Sequence, residues 1–147
     1  MQIKTLFLGT LEFNEESVIF FPQGMFGLPN LKKFILCEGD DLAPFRYLVS
    51  LETPEIAFLV ISPLEIIPDY EVSIHEEARQ SLLFEEKHRL IYWVIVTPSP
   101  EVEKTTVNLL APLVIDAESM RGCQVIQEQN SYPVKYILFQ DEVQPPS

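Results

Sequence analysis

Short apolar runs, separated by prolines and glycines, dominate this chain of 147 residues. Twelve prolines spread along the sequence argue against long helices, because proline removes a backbone donor and clashes with the preceding helical turn. Apolar runs that recur about every 8–12 residues are typical of a β-sandwich or small barrel. The predicted strands are 3–8, 18–21, 33–37, 45–51, 56–61, 90–97, 113–115 and 124–126, and those from 3 to 61 are expected to supply most of one sheet.

One segment, 73–88, has the features of a helix. It contains no Pro or Gly, and Ser73 stands three residues before Glu76, as in a capping box. Ala78 and Leu82 then follow at roughly helical spacing. The sequence therefore predicts a mainly β, compact, antiparallel barrel-like fold with one short helix around 73–88, and a further short turn at 105–110.

The length fits one domain, expected to span 1–139, with 140–147 as a frayed tail. No run approaches the roughly 20 apolar residues of a membrane helix, and the N-terminus has no signal-peptide pattern. We expect a cytoplasmic protein without a membrane partner.

The chain is strongly acidic. Twenty-two Asp and Glu residues against ten Lys and Arg give a formal charge of −12. Such a surface repels a phosphate backbone, so direct nucleic-acid binding is disfavoured. The surplus carboxylates either keep a small protein soluble or steer it toward a basic protein partner.

Patterns of catalytic or metal-binding residues are missing from the sequence. His75 and His88 do not form an HExxH motif and are interpreted as solvated side chains of a polar helix face. Cys37 and Cys123 lack CxxC spacing and are expected to be small buried hydrophobes. No serine lies in a GxSxG context. We expect no cofactor, no metal and no enzymatic activity.

Six segments carry a recognisable pattern in a fixed order along the chain. They are 18–28, 44–50, 53–60, 68–71, 108–115, and the set Gly122, Gln124 to Ile126 and Tyr132-Pro133. Taken together they resemble the bacterial flagellar assembly factor FliW family, and 18–28 resembles the family's FPxGxxGF signature. The likeness as a whole covers roughly residues 2 to 137.

The resemblance implies a cytoplasmic, non-enzymatic partner-switch protein with a compact β-barrel-like fold. Members of the family bind the translational regulator CsrA and keep it off the flagellin messenger RNA. Newly made flagellin competes for the same protein, so surplus flagellin shuts down its own synthesis.

Two surfaces are candidate partner contacts, and one group of residues is expected to be structural. Acidic residues before and within the predicted helix could meet a basic partner, although a solvated edge strand is about as good an explanation. The candidate contacts are Met25 and Phe26, expected to be exposed at a turn tip, and Asp69, Tyr70, Glu71, Glu76 and Glu77. The expected turn residues are Pro22, Gly24 and Gly27, with positive φ or a break in the ladder, and Asn108, whose amide would bond a neighbouring turn.

Two other classes of function stay open at this point. The chain could be a small β-barrel ligand-binding protein or enzyme whose pocket is invisible in sequence. It could also be one subunit of an obligate assembly. A saturable complex with CsrA would separate the partner-switch hypothesis from both.

Overall fold

The computed structural model describes residues 1–6, 8–38, 42–128 and 131–140. These residues form eleven strands, one α-helix and three short 3-10 helices at Glu15–Ser17, Pro63–Glu65 and Val102–Lys104. The strands are β1 (Gln2–Lys4), β2 (Thr10–Glu12), β3 (Ile19–Phe20), β4 (Lys33–Cys37), β5 (Phe45–Ser50), β6 (Ala57–Ile61), β7 (Leu90–Thr97), β8 (Thr106–Val107), β9 (Leu113–Asp116), β10 (Arg121–Gln124) and β11 (Tyr136–Ile137), and the helix is α1 (Glu76–Leu82).

Seven strands close into a barrel in the order β7-β6-β5-β4-β3-β10-β9, with β9 pairing back onto β7. Strand β7 closes the ring because it is long: residues 94–96 pair with β6 and residues 90–93 pair with β9. All of these pairings are antiparallel except β3 with β10, where Phe20 lies opposite Arg121 in parallel register. Strands β8 and β11 extend the sheet beyond β7. The predicted β-barrel-like fold with one helix is confirmed.

The first predicted strand does not join the main sheet, so that expectation is wrong. Strand β1 pairs with β2 in a separate two-stranded sheet. Gly9, at φ +71°, reverses the chain between them, and the Thr5 hydroxyl donates to the Gly9 carbonyl at 2.8 Å. The Thr5 amide donates to the same carbonyl at 2.9 Å, so Thr5 and Gly9 hold the two strands together at this end. Of the predicted frayed tail 140–147, only Gln140 lies within the described residues.

Two boundaries near the C-terminal end also differ from expectation. The predicted strand 124–126 begins earlier, as β10, because Met120 at φ 56° reverses the chain soon after β9. The predicted turn at 105–110 contains the short strand β8, which pairs with both β7 and β11.

The helix is shorter than the predicted range 73–88 and is not capped by Ser73. His75 is the N-cap, and its Nδ1 accepts a hydrogen bond from the Ala78 amide at 3.2 Å. The Ser73 amide instead donates to Gln127 Oε1, which holds the preceding chain in a non-helical path. Leu83 takes the left-handed conformation at φ 54° and ends the helix.

The barrel interior is filled by aromatic and branched side chains. Phe21 and Phe34 are fully buried and pack edge to face, with ring centroids 5.3 Å apart. The helix buries Ala78 and Leu82 against the barrel, and Cys123 lies in the same cluster. Among the described residues, no helix has the length and apolar character needed to cross a bilayer.

Candidate functional site

A tightly held turn follows strand β3. Pro22 takes its second position, and the Gly24 amide closes it on the Phe21 carbonyl at 2.9 Å. Gly24 and Gly27 have φ of +69° and +82°, so the predicted need for positive φ is confirmed. At Gly24 there is a second reason for glycine, since a Cβ would lie 2.5 Å from the Pro29 carbonyl oxygen.

Two adjacent hydrophobic residues at the tip of this turn, Met25 and Phe26, differ in burial. Met25 is only 3% exposed and packs into the barrel core, so the expectation that it is exposed is wrong. Met25 and Leu28 exchange backbone hydrogen bonds and fix a two-residue loop between them. Phe26 is 54% exposed on that loop, and its amide donates to Gln124 Oε1 at 2.9 Å. The burial of Met25 thus anchors an exposed Phe26.

The exposed Phe26 lines a surface groove. Helix α1, the end of β10 and the residues after β10 also contribute to its lining. We call this the α1 groove; its cavity measures about 370 Å³. It is lined by Gln23, Gly24, Phe26, His75, Glu77, Ala78, Ser81, Cys123, Gln124, Ile126 and Glu128.

The lining of the groove combines exposed hydrophobic residues with acidic ones. Phe26 and Ile126 are large exposed hydrophobes, while Glu77 and Glu128 carry its formal charges. Both polar atoms of the Gln124 side-chain amide are hydrogen-bonded within the protein. Its Oε1 accepts from the Phe26 amide, and its Nε2 donates to the Ala111 carbonyl at 3.3 Å. An exposed aromatic beside carboxylates suits the recognition of another molecule.

Two side chains with potentially nucleophilic atoms, Cys123 and Ser81, line the groove. Burial raises the pKa of the Cys123 thiol, which disfavours the nucleophilic thiolate. Ser81 Oγ is the one buried side-chain polar atom in the described residues that lacks a hydrogen-bond partner. The described residues also contain no cluster of His, Cys, Asp and Glu arranged to hold a metal.

The acidic stretch before α1 is tied to the barrel by Tyr70, which is buried. The Tyr70 hydroxyl donates to the Leu109 carbonyl at 2.6 Å, and its ring stacks on Tyr132 at 4.3 Å. The expectation that Tyr70 could anchor an interface is therefore wrong, because only 7% of the residue is exposed. Its neighbours Asp69 and Glu71 remain exposed.

The remaining acidic candidates lie in the first turn of α1. Glu76 and Glu77 are both exposed there, where carboxylates favour the positive end of the helix dipole. Glu77 lines the α1 groove, so the fold brings it together with Phe26. The Glu71 amide, in contrast, donates to the Tyr132 hydroxyl at 3.0 Å, outside the groove lining.

Asn108 has the structural role that the sequence predicts. Its Oδ1 accepts hydrogen bonds from the Leu110 amide at 3.0 Å and the Ala111 amide at 3.1 Å. The turn that it stabilises leads directly into β9.

The interpretation of His88 as a solvated residue is wrong. His88 Nδ1 lies 2.7 Å from Oδ2 of the fully buried Asp116, and its side chain is mostly buried. Asp116 Oδ1 also accepts from the Glu118 and Ser119 amides. Sequence reasoning missed this pair because 28 residues separate its members and only the barrel brings them together.

Comparisons with known proteins match nearly the whole chain. The family described as "FliW protein" matches residues 2–138. A flagellar assembly factor FliW of Caldanaerobacter subterraneus subsp. tengcongensis is 37% identical over 143 residues, which is 96% of this chain and 95% of the relative. One from Caldicellulosiruptor bescii is 37% identical over 139 residues, covering 95% and 91%.

A solved structure agrees with these sequence matches. The crystal structure of a flagellar assembly factor FliW superposes with a TM-score of 0.88 at 32% sequence identity. The superposition covers 97% of this chain and 99% of that chain. The matched range agrees with the extent of the resemblance seen in the sequence, and the chain belongs to this family by both sequence and fold.

Proposed function

Because the chain belongs to the FliW family of flagellar assembly factors, we propose that it acts as a non-enzymatic partner-switch protein. It binds the translational regulator CsrA and relieves the repression of flagellin translation. Flagellin is the competing partner, so the amount of unsecreted flagellin sets how much CsrA is free. The protein works in the cytoplasm, where both partners are made.

The observation that carries this proposal is the α1 groove. An exposed aromatic ring on a fixed turn lies beside two carboxylates, and this combination supplies both an apolar anchor and a charge preference. The formal charge of −12 supports the same choice of partner. A basic RNA-binding protein would be attracted to it over a distance of about one Debye length.

The same charge gives a physical route to antagonism. A docked subunit at −12 places negative potential near the path of the RNA phosphates. Repulsion then weakens RNA binding without requiring that the protein occupy the RNA site itself. Mutual exclusion between the two protein partners follows from overlap or from coupling, and the coupling free energy is reciprocal in either case.

The experiment that tests this proposal is release of RNA. A fluorescent flagellin leader RNA is first bound to CsrA from the same source, and this protein is then titrated in. We expect the RNA to be released saturably, and added flagellin to restore RNA binding. If CsrA keeps its RNA at saturating concentrations of this protein, the proposed function is wrong.

A further inference from the structure

We propose that the α1 groove binds a partner segment in which one large apolar side chain is flanked by Lys or Arg. This inference rests on the proposed function in one respect only, namely that the partner is a protein. It specifies which surface is used and which chemistry that surface selects.

The apolar part of this preference comes from Phe26 and Ile126. These residues are 54% and 46% exposed, and the fold brings them into one groove although they are 100 positions apart in sequence. Ala78 of α1 also lines the groove and has only a small side chain. A cavity of about 370 Å³ lies at the lower end of the roughly 300–1,000 Å³ range of ligand pockets, which suits one large side chain.

The groove is already fixed in a form that can receive such a side chain. The Phe26 amide is held by Gln124, and the loop is pinned by the Met25–Leu28 hydrogen bonds. Gly24 is packed against the Pro29 backbone, which limits movement of the turn as a whole. Little conformational entropy is therefore lost when a partner docks, so an exposed aromatic here contributes efficiently to affinity.

The preference for Lys or Arg in the partner comes from the carboxylates in the groove lining. Glu77 and Glu128 are both exposed, and the groove lining includes no Lys or Arg. The Gln124 side-chain amide is already hydrogen-bonded within the protein, so it competes little with the carboxylates for a partner's Lys or Arg. A Lys or Arg beside the apolar anchor would be attracted, whereas an acidic residue would be repelled. A second copy of this chain is disfavoured for the same reason, since each copy carries −12.

Three synthetic peptides test the chemistry directly. The probe is a fluorescein-labelled peptide with a single Phe flanked by lysines; one control replaces the Phe with Ala, and another replaces the lysines with Glu. Binding is followed by fluorescence anisotropy at low salt. We expect the Ala peptide to bind about tenfold more weakly or worse, a difference of about 1.4 kcal/mol, and the Glu peptide not to bind.

Variants of the protein place the binding at the groove. Phe26→Ala and Glu77→Lys should each weaken binding of the probe at least about fivefold, equivalent to about 1 kcal/mol. Phe139→Ala and Glu55→Lys are the matched controls, because both residues are exposed and neither lines the groove. Amide chemical shifts of the labelled protein should change around Phe26, Ala78 and Gln124. Circular dichroism confirms that each variant is folded.

The inference would be overturned by equal binding of the Lys and Glu peptides, by unchanged binding to Phe26→Ala, or by chemical-shift changes confined to another surface. Self-association that Phe26→Ala abolishes would overturn it in favour of a second copy. Titration of CsrA against the same variants keeps the two hypotheses apart. If CsrA binds the protein but the groove variants are neutral for both peptide and CsrA, this inference fails and the proposed function stands.

Discussion

At the residue scale, two glycines in the turn after β3 serve different purposes although their backbones are alike. Gly24 and Gly27 both have positive φ, a conformation that costs an L-residue with a side chain roughly 1–2 kcal/mol. A Cβ on Gly24 would lie 2.5 Å from the Pro29 oxygen, whereas a Cβ on Gly27 would meet no atom within 4 Å. Only Gly24 is needed for close packing.

Substitution by alanine should separate these two effects. We expect Gly27→Ala to lower the free energy of unfolding by about 1–2 kcal/mol, the cost of backbone conformation alone. Gly24→Ala should cost a further amount of about 1–3 kcal/mol, because the backbone at Pro29 must move. Urea denaturation of both variants measures the difference. Equal losses would contradict the account of the turn.

Tyr70 predicts a loss of stability at alkaline pH. Burial, and then the neighbouring Tyr132 phenol, raise the pKa of Tyr70 well above its ordinary value of about 10. Above about pH 10 the unfolded chain loses the phenol proton while the folded protein keeps it. The free energy of unfolding should therefore fall as the pH rises beyond about 10.

The matched variant for this prediction is Tyr70→Phe. At neutral pH it should be less stable by about 1–2 kcal/mol, since the buried Leu109 carbonyl loses its donor. Its stability should also fall less steeply above about pH 10, with the remaining slope partly due to Tyr92, whose pKa is likewise raised by burial. Urea denaturation across this pH range gives both quantities. Parallel curves for the two proteins would show that Tyr70 is not responsible.

At the scale of elements, α1 depends on the barrel for its position. A helix of seven residues is too short to be stable alone in water. Its last carbonyls accept hydrogen bonds from the β9–β10 turn: the Ser119 hydroxyl donates to Leu82 at 2.7 Å, and Arg121 donates to Ser81 at 3.4 Å. Asp116 organises that turn and also holds His88, which follows the helix. The position of α1 beside the groove is thus set by a hairpin that is distant from it in sequence.

Removal of the Asp116 carboxylate should loosen this connection. Asp116→Ala leaves the Glu118 and Ser119 amides and His88 without their acceptor, and we expect a loss of about 2–4 kcal/mol. Hydrogen exchange at α1 amides should accelerate more than exchange in β5 and β6. Glu118→Ala, which removes an exposed carboxylate from the same turn, is the control and should change stability by less than about 0.5 kcal/mol. A similar effect of both substitutions would be evidence against the connection.

The elements also show what a sequence can predict here. Strands β4 and β7 match the predicted 33–37 and 90–97, because continuous apolar runs between turn residues determine them locally. The burial of Tyr70 depends on Leu109 and Tyr132, and that of Met25 on the barrel core, so neither could be read from neighbouring residues. Phe26 and Glu77 were both candidates, but their meeting in one groove requires the tertiary fold.

At the scale of the whole molecule, charge is the feature that connects the fold to the proposed antagonism of an RNA-binding protein. A formal charge of −12 on one domain should speed association with a basic partner and make it sensitive to salt. The acidic candidates Asp69, Glu71, Glu76 and Glu77 are all exposed and contribute to this field.

Charge reversal tests whether the position of these carboxylates matters. Changing all four to lysine should slow association with CsrA at least about tenfold at low salt and weaken RNA release. A control variant reverses four other exposed carboxylates, Glu12, Glu15, Glu16 and Glu55, and so changes the net charge by the same amount. Stopped-flow association measures the rates. If the first variant still antagonises CsrA like the wild type, electrostatic antagonism is wrong.

The measurement that tests the partner switch most directly is a calorimetric titration of CsrA with this protein, followed by addition of flagellin. We expect a saturable complex with CsrA at micromolar concentrations or below, and its displacement by flagellin. Binding of neither protein at those concentrations would contradict the partner switch and leave the chain with the family's fold but a different ligand.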